Sequence, residues 1–497
     1  MSDCSVDSSF PDMSNLYLWN MLPDKKSRTC FHMPGHLSGS FFPDEYFRNL
    51  IMSDTTELPS TDDLHDPTGP ALHAAQTVSR CYGSGKSFFV TTGSTTGIRV
   101  MMASVCDDET FFLFPRSVHI SVLYTAAMLD FPYAFIKPKK SLETDSYLIP
   151  VITAESVEAA IIENPKATDI LLVSPDYYGR CADIEAIASV VHRYGRRLLV
   201  DEAHGSHLPF CPPGSPMSAI RAGADLSVMS VHKTLPAMTM ASLIHISSDA
   251  LLSGRVQQDR VFEMLRTFET SSPSFSIAAS SEYAIAWAQR MGERAIRSTI
   301  DCMEIFYRKL SKIPGVSPII GSPYETDPLR MVLSIDHPGI SARQVSELLS
   351  EQGIDIEFSD LKRLVLIVSP GQRPMDFDRL YSALSGALTT AGSVDPIFEE
   401  NLSLDGLENL WKKSFEVFPD RSTTVRKAFF FGKRISVLLE DALGAVVTVP
   451  VSPYPPGIPV LWPGEVITKT HIFLLSGLLT NGMTVSGVHN GYIQVQN

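Results

Sequence analysis

The sequence predicts an α/β protein with a mainly parallel sheet, and three features carry that prediction. From about residue 31 to 288, short apolar runs alternate with helix-like stretches. Two of those runs, 170–173 and 198–200, read as buried strands, the first followed by Ser-Pro and the second by Asp-Glu-Ala-His-Gly. Between them, residues 184–194 carry apolar side chains at helical spacing and stop at Gly195. Strand, helix, strand is the unit of a parallel sheet covered on both faces. Such crossovers are right-handed and place functional loops at the carboxyl ends of strands.

The remaining chain divides by the same reasoning. At 497 residues it exceeds one ordinary hydrophobic core. We expect an N-terminal segment at 1–30 and a large α/β domain at 31–300. A smaller α/β domain follows at 301–390, with strands at 331–335 and 364–368 around a helix at 342–352. Residues 391–400 read as a linker into a C-terminal domain at 391–497. Its run Pro453-Tyr-Pro-Pro-Gly-Ile-Pro459 is neither regular helix nor central strand, because proline lacks the N–H that both require.

Composition narrows the function. Hydrophobic residues at 44% and charged residues at 19% are the balance of a folded soluble chain. A formal net charge of -14 opposes a phosphate backbone, which excludes nucleic-acid binding as the main task. The seven cysteines are scattered and form no CxxC pair, the pattern of free thiols in a reducing compartment. The first thirty residues lack a continuous apolar region, and runs such as 472–479 are far too short to span a bilayer. A cytoplasmic protein without membrane contact is the expectation.

Three segments carry chemistry. Thr92-Gly-Ser-Thr-Thr-Gly97 follows the apolar run 88–90 and precedes a helix-like stretch at 98–105. A glycine turn entering a helix offers N–H groups and a positive dipole end to a phosphate, and Ser94 and Thr95 add hydroxyls. Leu198-Leu-Val-Asp-Glu-Ala-His204 ends a strand in Asp201, a carboxylate that can keep a pyridinium nitrogen protonated. Ser230-Val-His-Lys233 follows the run 226–229, so Lys233 stands at a strand end, where a desolvated amine can form a Schiff base with an aldehyde. Each segment alone also reads blandly, as a helix cap, a capping carboxylate or a surface lysine. In this chain order, with His119 of Arg116-Ser-Val-His119 able to stack on a ring, they match a fold-type I enzyme of pyridoxal 5'-phosphate.

Two other motifs lead elsewhere and are set aside. Gly83-Ser-Gly-Lys-Ser87 resembles the end of a P-loop, but the required first glycine is Arg80. His204 and His207 lack the spacing of a helical zinc pair, so no metal is expected.

Over nearly its whole length the sequence resembles the Orn/Lys/Arg decarboxylase family. The matching motifs include Phe31-His-Met-Pro-Gly-His36, Thr56-Glu-Leu58, Asp62-Asp-Leu-His-Asp-Pro-Thr-Gly69 and Ser174-Pro-Asp-Tyr-Tyr-Gly179. They continue through Asp201-Glu-Ala-His-Gly-Ser-His207, Ser230-Val-His-Lys-Thr-Leu235, Glu269-Thr-Ser-Ser-Pro-Ser274, Tyr454-Pro-Pro-Gly-Ile-Pro459 and Pro463-Gly-Glu465. The length resembles the short branch of the family, which is similar to biosynthetic arginine decarboxylases of polyamine synthesis.

The resemblance implies a lyase that decarboxylates arginine, or else lysine or ornithine, with Lys233 holding the cofactor. It implies phosphate binding by Gly93, Ser94, Thr95, Ser230 and His232, with His119 on the ring, Asp201 at its nitrogen and Ala203 beneath. His204 is implied to lie near the cofactor's phenolic oxygen or the substrate, and Glu357 to meet the substrate's distal cation. The site is implied to sit at a homodimer interface, with Ser271 in a loop, 270–272, reaching the neighbouring phosphate; larger assemblies belong to the long members. The sequence departs from the family pattern at Leu37, Ile120, Val231 and Thr239-Met240, which touches substrate and assembly more than cofactor. Another reaction of the same cofactor is the alternative, and a catalytically silent member is disfavoured by intact Lys233 and Asp201.

Overall fold

The computed structural model describes residues 29–31, 62–139, 146–391 and 403–497. Residues 32–36 of the first motif, Leu37, Thr56-Glu-Leu58, most of the 1–30 segment and the linker beyond Ala391 lie outside the described residues.

Apolar runs build the central sheet. In chain order the first strands are β1 (Thr29–Phe31), β2 (Lys86–Val90), β3 (Phe112–Pro115) and β4 (Tyr133–Ile136). There follow β5 (Asp169–Val173), β6 (Arg197–Asp201), β7 (Leu226–Ser230) and β8 (Ser242–Ile246). Among the described residues the largest sheet has seven strands in the order β2-β8-β7-β6-β5-β3-β4. Strands β7, β6, β5, β3 and β4 pair in parallel, whereas β8 is antiparallel to β2 and to β7. Every strand of this sheet except β8 therefore points the same way. The carboxyl ends of β2, β3, β5, β6 and β7, with the amino end of β8, open on one edge. Strands β3, β7 and β8 are buried from end to end, as a sheet covered on both faces requires.

The crossover read from the sequence is present. Helix Ile184–Arg193 joins β5 to β6, its N-terminus capped by the Asp183 carboxylate, which accepts from Ala186 N at 3.0 Å. Helix Ser94–Ser104 lies against β7 so closely that a Cβ on Gly97 would sit 2.7 Å from Val228 Cγ1. Only glycine permits that approach.

Next in the chain come β9 (Val316–Pro318), β10 (Arg330–Ile335), β11 (Ile354–Ile356), β12 (Phe358–Ser359) and β13 (Arg363–Ile367). An antiparallel sheet of order β12-β13-β10-β9 packs on helices Glu293–Leu310, Ala342–Glu351 and Pro374–Ala391 around Leu333, Val345, Leu364 and Leu380. Strand β1 pairs in parallel with β11, and Phe31 is wholly buried in this core rather than in that of the large sheet.

The C-terminal region carries β14 (Arg434–Leu438), β15 (Ser452–Tyr454), β16 (Thr484–Ser486), β17 (Val488–His489) and β18 (Tyr492–Gln496). Pro453 sits in the two-stranded pair β15-β16, an edge position that asks no ladder N–H of it. Helices Leu404–Lys413 and Lys469–Thr480 close a core around Trp411, Leu461 and Leu475. No described helix is long and apolar enough to cross a membrane.

One buried ion pair fastens this region to the large sheet. Arg116, just past β3, is 1% exposed and gives both terminal nitrogens to Glu465, Nη2 to Oε2 at 2.6 Å. Nη2 also donates to Val460 O at 2.8 Å, and Trp462 N donates to Glu465 Oε2 at 2.7 Å. The guanidinium lies over Phe135 at 4.8 Å from the ring centre. Removing one partner strands a desolvated charge, whereas removing both does not. Glu465→Ala is expected to cost about 3–5 kcal/mol in denaturant unfolding. The double variant Arg116→Met/Glu465→Met is expected to lose clearly less; equal losses would show that the pair contributes attraction and not mutual neutralisation.

Candidate active site

At the edge where the strand ends converge lies a cavity of about 310 Å³. Ten of the twelve residues singled out from the sequence line it: Gly93, Ser94, Thr95, His119, Asp201, Ala203, His204, Ser230, His232 and Lys233.

The turn after β2 forms the anion end. Gly93 caps helix Ser94–Ser104 with φ 87 and ψ 163, a conformation essentially closed to side chains, and no side chain caps the helix. Thr96 N and Gly97 N bond to Gly93 O, while Ser94 and Thr95 line the cavity with the helix dipole behind them. Ser230 Oγ, at the end of β7, donates to Ser94 Oγ at 2.8 Å and joins the turn after β2 to the end of β7. His232 meets Ala241 O through Nδ1 at 2.9 Å. Behind the turn, the buried Glu269 carboxylate accepts from Thr91 N at 2.5 Å, Thr91 Oγ1 at 2.9 Å and Thr92 N at 3.1 Å. Its other oxygen lies 3.2 Å from His65 Nε2, so one side chain ties the turn to two distant loops.

The residues expected at the ring come from the ends of β3, β6 and β7, on one edge of the sheet. His119 caps helix Ile120–Leu129, its Nδ1 accepting from Ser121 N at 3.2 Å, which fixes the plane of the imidazole. Burial, then the charge of Lys233, lowers its pKa to about 4, so it is a neutral ring at working pH. Asp201 ends β6 at 2% exposed and accepts from Ala203 N at 3.1 Å. Burial raises its pKa to about 6 against the opposing pull of Lys233 and that N–H. Lys233 lies in the single helical turn Val231–Thr234 after β7. Burial depresses its pKa, Asp201 and Glu357 oppose the fall, and Arg330 adds to it.

His204 bridges to the smaller sheet, with Nε2 3.1 Å from Lys233 Nζ and Nδ1 3.0 Å from Arg330 Nη2. Burial lowers its pKa well below the usual imidazole range, and the charges of Lys233 and Arg330 lower it further.

Two of the twelve stand elsewhere. Glu357 lies between β11 and β12, its N–H donating to Val365 O at 3.1 Å; it does not line the cavity wall, yet its charge bears on Lys233 and on Tyr177. Ser271 is exposed, in the loop that Glu269 anchors, and contributes nothing to the cavity of its own chain. The structure adds Val173, Tyr177, Thr239 and Met240 to the wall, and Arg330 behind His204. Arg330 had no sequence signal, because its partners Tyr177 and His204 follow β5 and β6 and reach it through tertiary contact alone.

The donor set fits pyridoxal phosphate. A buried carboxylate short of cationic partners answers a pyridinium N–H, an uncapped helix N-terminus answers a phosphate, and a desolvated amine answers an aldehyde. Among the described residues no group of three or more His, Cys, Asp or Glu side chains is arranged to hold a metal ion.

Known proteins resemble the chain throughout. The family described as Orn/Lys/Arg decarboxylase, major domain, matches residues 18–321, and its C-terminal domain matches 408–481. An arginine decarboxylase of Bacillus subtilis is 30% identical over 468 residues, 92% of each chain. The constitutive lysine decarboxylase of Escherichia coli is 24% identical over 92% of this chain and 75% of its own. The crystal structure of the Francisella novicida lysine decarboxylase LdcF superposes with a TM-score of 0.76 at 23% identity, covering 93% of this chain and 76% of that one.

Asp201 generates a stability prediction. The folded protein favours its protonated form, so the ionised carboxylate is a load that is absent below about pH 4 and complete above about pH 6. In cofactor-free protein at neutral pH, Asp201→Asn is expected to raise stability by about 2–3 kcal/mol, while cofactor affinity falls. Thermal melts of both proteins at acidic and neutral pH check this; a stabilisation independent of pH would refute the assignment of the load to Asp201.

Proposed function

Because the chain belongs to the Orn/Lys/Arg decarboxylase family, we propose that it releases carbon dioxide from a basic amino acid, arginine ahead of lysine and ornithine. The observation that carries the reading is the meeting of Asp201, Lys233, His119 and the 92–95 turn in one cavity at co-directed strand ends. Arginine stands first because similar chains of nearly the same extent carry that activity in their names.

Pyridoxal phosphate bound there supplies an electron sink for the charge left on Cα when carbon dioxide departs. The protein's residues do the rest. Gly93, Ser94, Thr95, Ser230 and His232 would hold the phosphate, and Lys233 Nζ would hold the aldehyde carbon. Asp201 would keep a proton on the ring nitrogen, His119 and Ala203 would flank the ring, and His204 faces the lysine. Glu357 receives the substrate's distal cation. Together these contacts would orient the substrate, and orientation decides which bond breaks.

Transamination normally asks for a cation on the substrate's α-carboxylate. Arg330 is the nearby buried arginine, but Tyr177 O and His204 Nδ1 engage its two terminal nitrogens. A carboxylate left without a clamp suits decarboxylation. We further read the protein as a cytoplasmic homodimer, with the exposed loop of Thr270, Ser271 and Ser272 from one subunit reaching the phosphate site of the other.

Lys233→Ala is expected to abolish the visible absorbance of bound cofactor and all amine release. Amine and carbon dioxide measured from arginine, lysine and ornithine should give arginine the highest kcat/KM; bound cofactor with no amine from any of them would overturn the reading. Glu357→Gln is expected to lower kcat/KM by about 10- to 100-fold, the loss of a charge-assisted contact of about 1.5–3 kcal/mol, with cofactor binding retained.

A further inference from the structure

We infer that Arg330 is a positioning residue that fixes the tautomer of His204, so that the imidazole presents Nε2–H to Lys233 Nζ. The catalytic meaning of this inference rests on the proposed role of Lys233; the tautomer itself is a property of the folded chain.

Arg330 opens β10 and is 4% exposed. Nη1 donates to Tyr177 O at 3.2 Å, and Nη2 lies 3.0 Å from His204 Nδ1. A guanidinium has donors only and keeps its charge at every working pH. The ring nitrogen it meets must therefore offer a lone pair, and a neutral imidazole with Nδ1 as acceptor carries its proton on Nε2. Nε2 is the atom 3.1 Å from Lys233 Nζ. The lysine nitrogen then accepts, which a neutral amine can do and an ammonium cannot. The opposite arrangement, an ammonium donating to Nε2, would place Nδ1–H against an arginine N–H, donor facing donor.

This assigns His204 a definite part. A base acting at Nε2 needs a lone pair there, and Arg330 has taken the only one the ring keeps. His204 is thus a donor to the lysine nitrogen and takes no proton from it at Nε2.

The surrounding structure holds Arg330 in place. Asp327 Oδ2 lies 3.8 Å from its Nη2, while Asp327 Oδ1 accepts from Leu329 N at 2.8 Å and faces His207 Nε2 at 2.8 Å. Gly179, with φ 82, makes room for the side chain, since a Cβ there would stand 2.4 Å from Arg330 Cβ. The charged and titratable groups bearing on His204 are Lys233, Arg330, His119 and His232; those bearing on Lys233 include Asp201, Glu357 and Arg330. Among them Arg330 alone touches the far nitrogen of the His204 ring.

The test reads the tautomer without turnover. In full-length protein labelled with 15N-histidine, His204 signals are assigned by their loss in His204→Gln. Nδ1 should appear unprotonated and Nε2 protonated, unchanged from about pH 6 to about pH 9, where an ordinary imidazole titrates or exchanges. Arg330→Lys keeps a permanent donor and should keep this pattern. Arg330→Met should mix the tautomers, and the pH midpoint for cofactor uptake by cofactor-free protein should rise by about one unit or more as a neighbouring positive charge is lost. A proton on Nδ1 in the parent protein, or a Met variant matching the parent in both readouts, overturns the inference. If the Met variant does not fold, the parent and Lys spectra decide. A covalent, borohydride-reducible link to the cofactor retained in Lys233→Ala would instead defeat the proposed function and leave the tautomer standing.

Discussion

A carboxyl group and an amine, Asp201 and Lys233, stand out of water at or just past the ends of adjacent strands, and the rest of the site is organised by that fact. Each charge alone would be neutralised by burial, the carboxylate by gaining a proton and the amine by losing one. Each moderates the other's shift without cancelling it. That is a poor arrangement for stability and a useful one for holding a ring that brings its own cationic nitrogen and aldehyde carbon. The pairing of β6 with β7 sets their separation, and strand ends give both side chains a rigid origin.

Three buried charged side chains then hold the surroundings to this centre. Glu269 draws the 91–92 backbone and His65 onto one carboxylate. Arg116, three residues before His119 of the cavity wall, carries the C-terminal region through Glu465. Arg330 reaches from the smaller sheet to His204. In each case a charge is desolvated and then satisfied by a partner from a distant part of the chain. Such contacts add little net stability compared with apolar packing, but breaking one is costly, so they specify how the parts are arranged.

Much of this was legible in the sequence. The α/β class and the βαβ crossover over 169–201 followed from apolar runs and helical spacing, because a doubly covered sheet leaves its strands no polar face. Gly93, Asp201 and Lys233 were legible because strand-end chemistry is local: a glycine turn, a terminal carboxylate and a following lysine are each written within a few residues. Arg330, Glu269 as an anchor and Tyr177 as cavity wall were not singled out for those roles. Glu357 was named for the substrate, and its influence on Lys233 became visible only when β11 and β12 were folded beside the cavity.

The sequence by itself determined which groups could do the chemistry and in what order the chain delivers them, since strand, turn and cap preferences act over a handful of residues. Only the tertiary structure decided what each group meets. Whether Lys233 faces a donor or an acceptor, which nitrogen of His204 keeps its proton and which loop Glu269 gathers all depend on contacts between segments far apart in the chain. The physical reason is that hydrogen-bond roles and desolvation belong to pairs of atoms in space, and no spacing along a sequence encodes them.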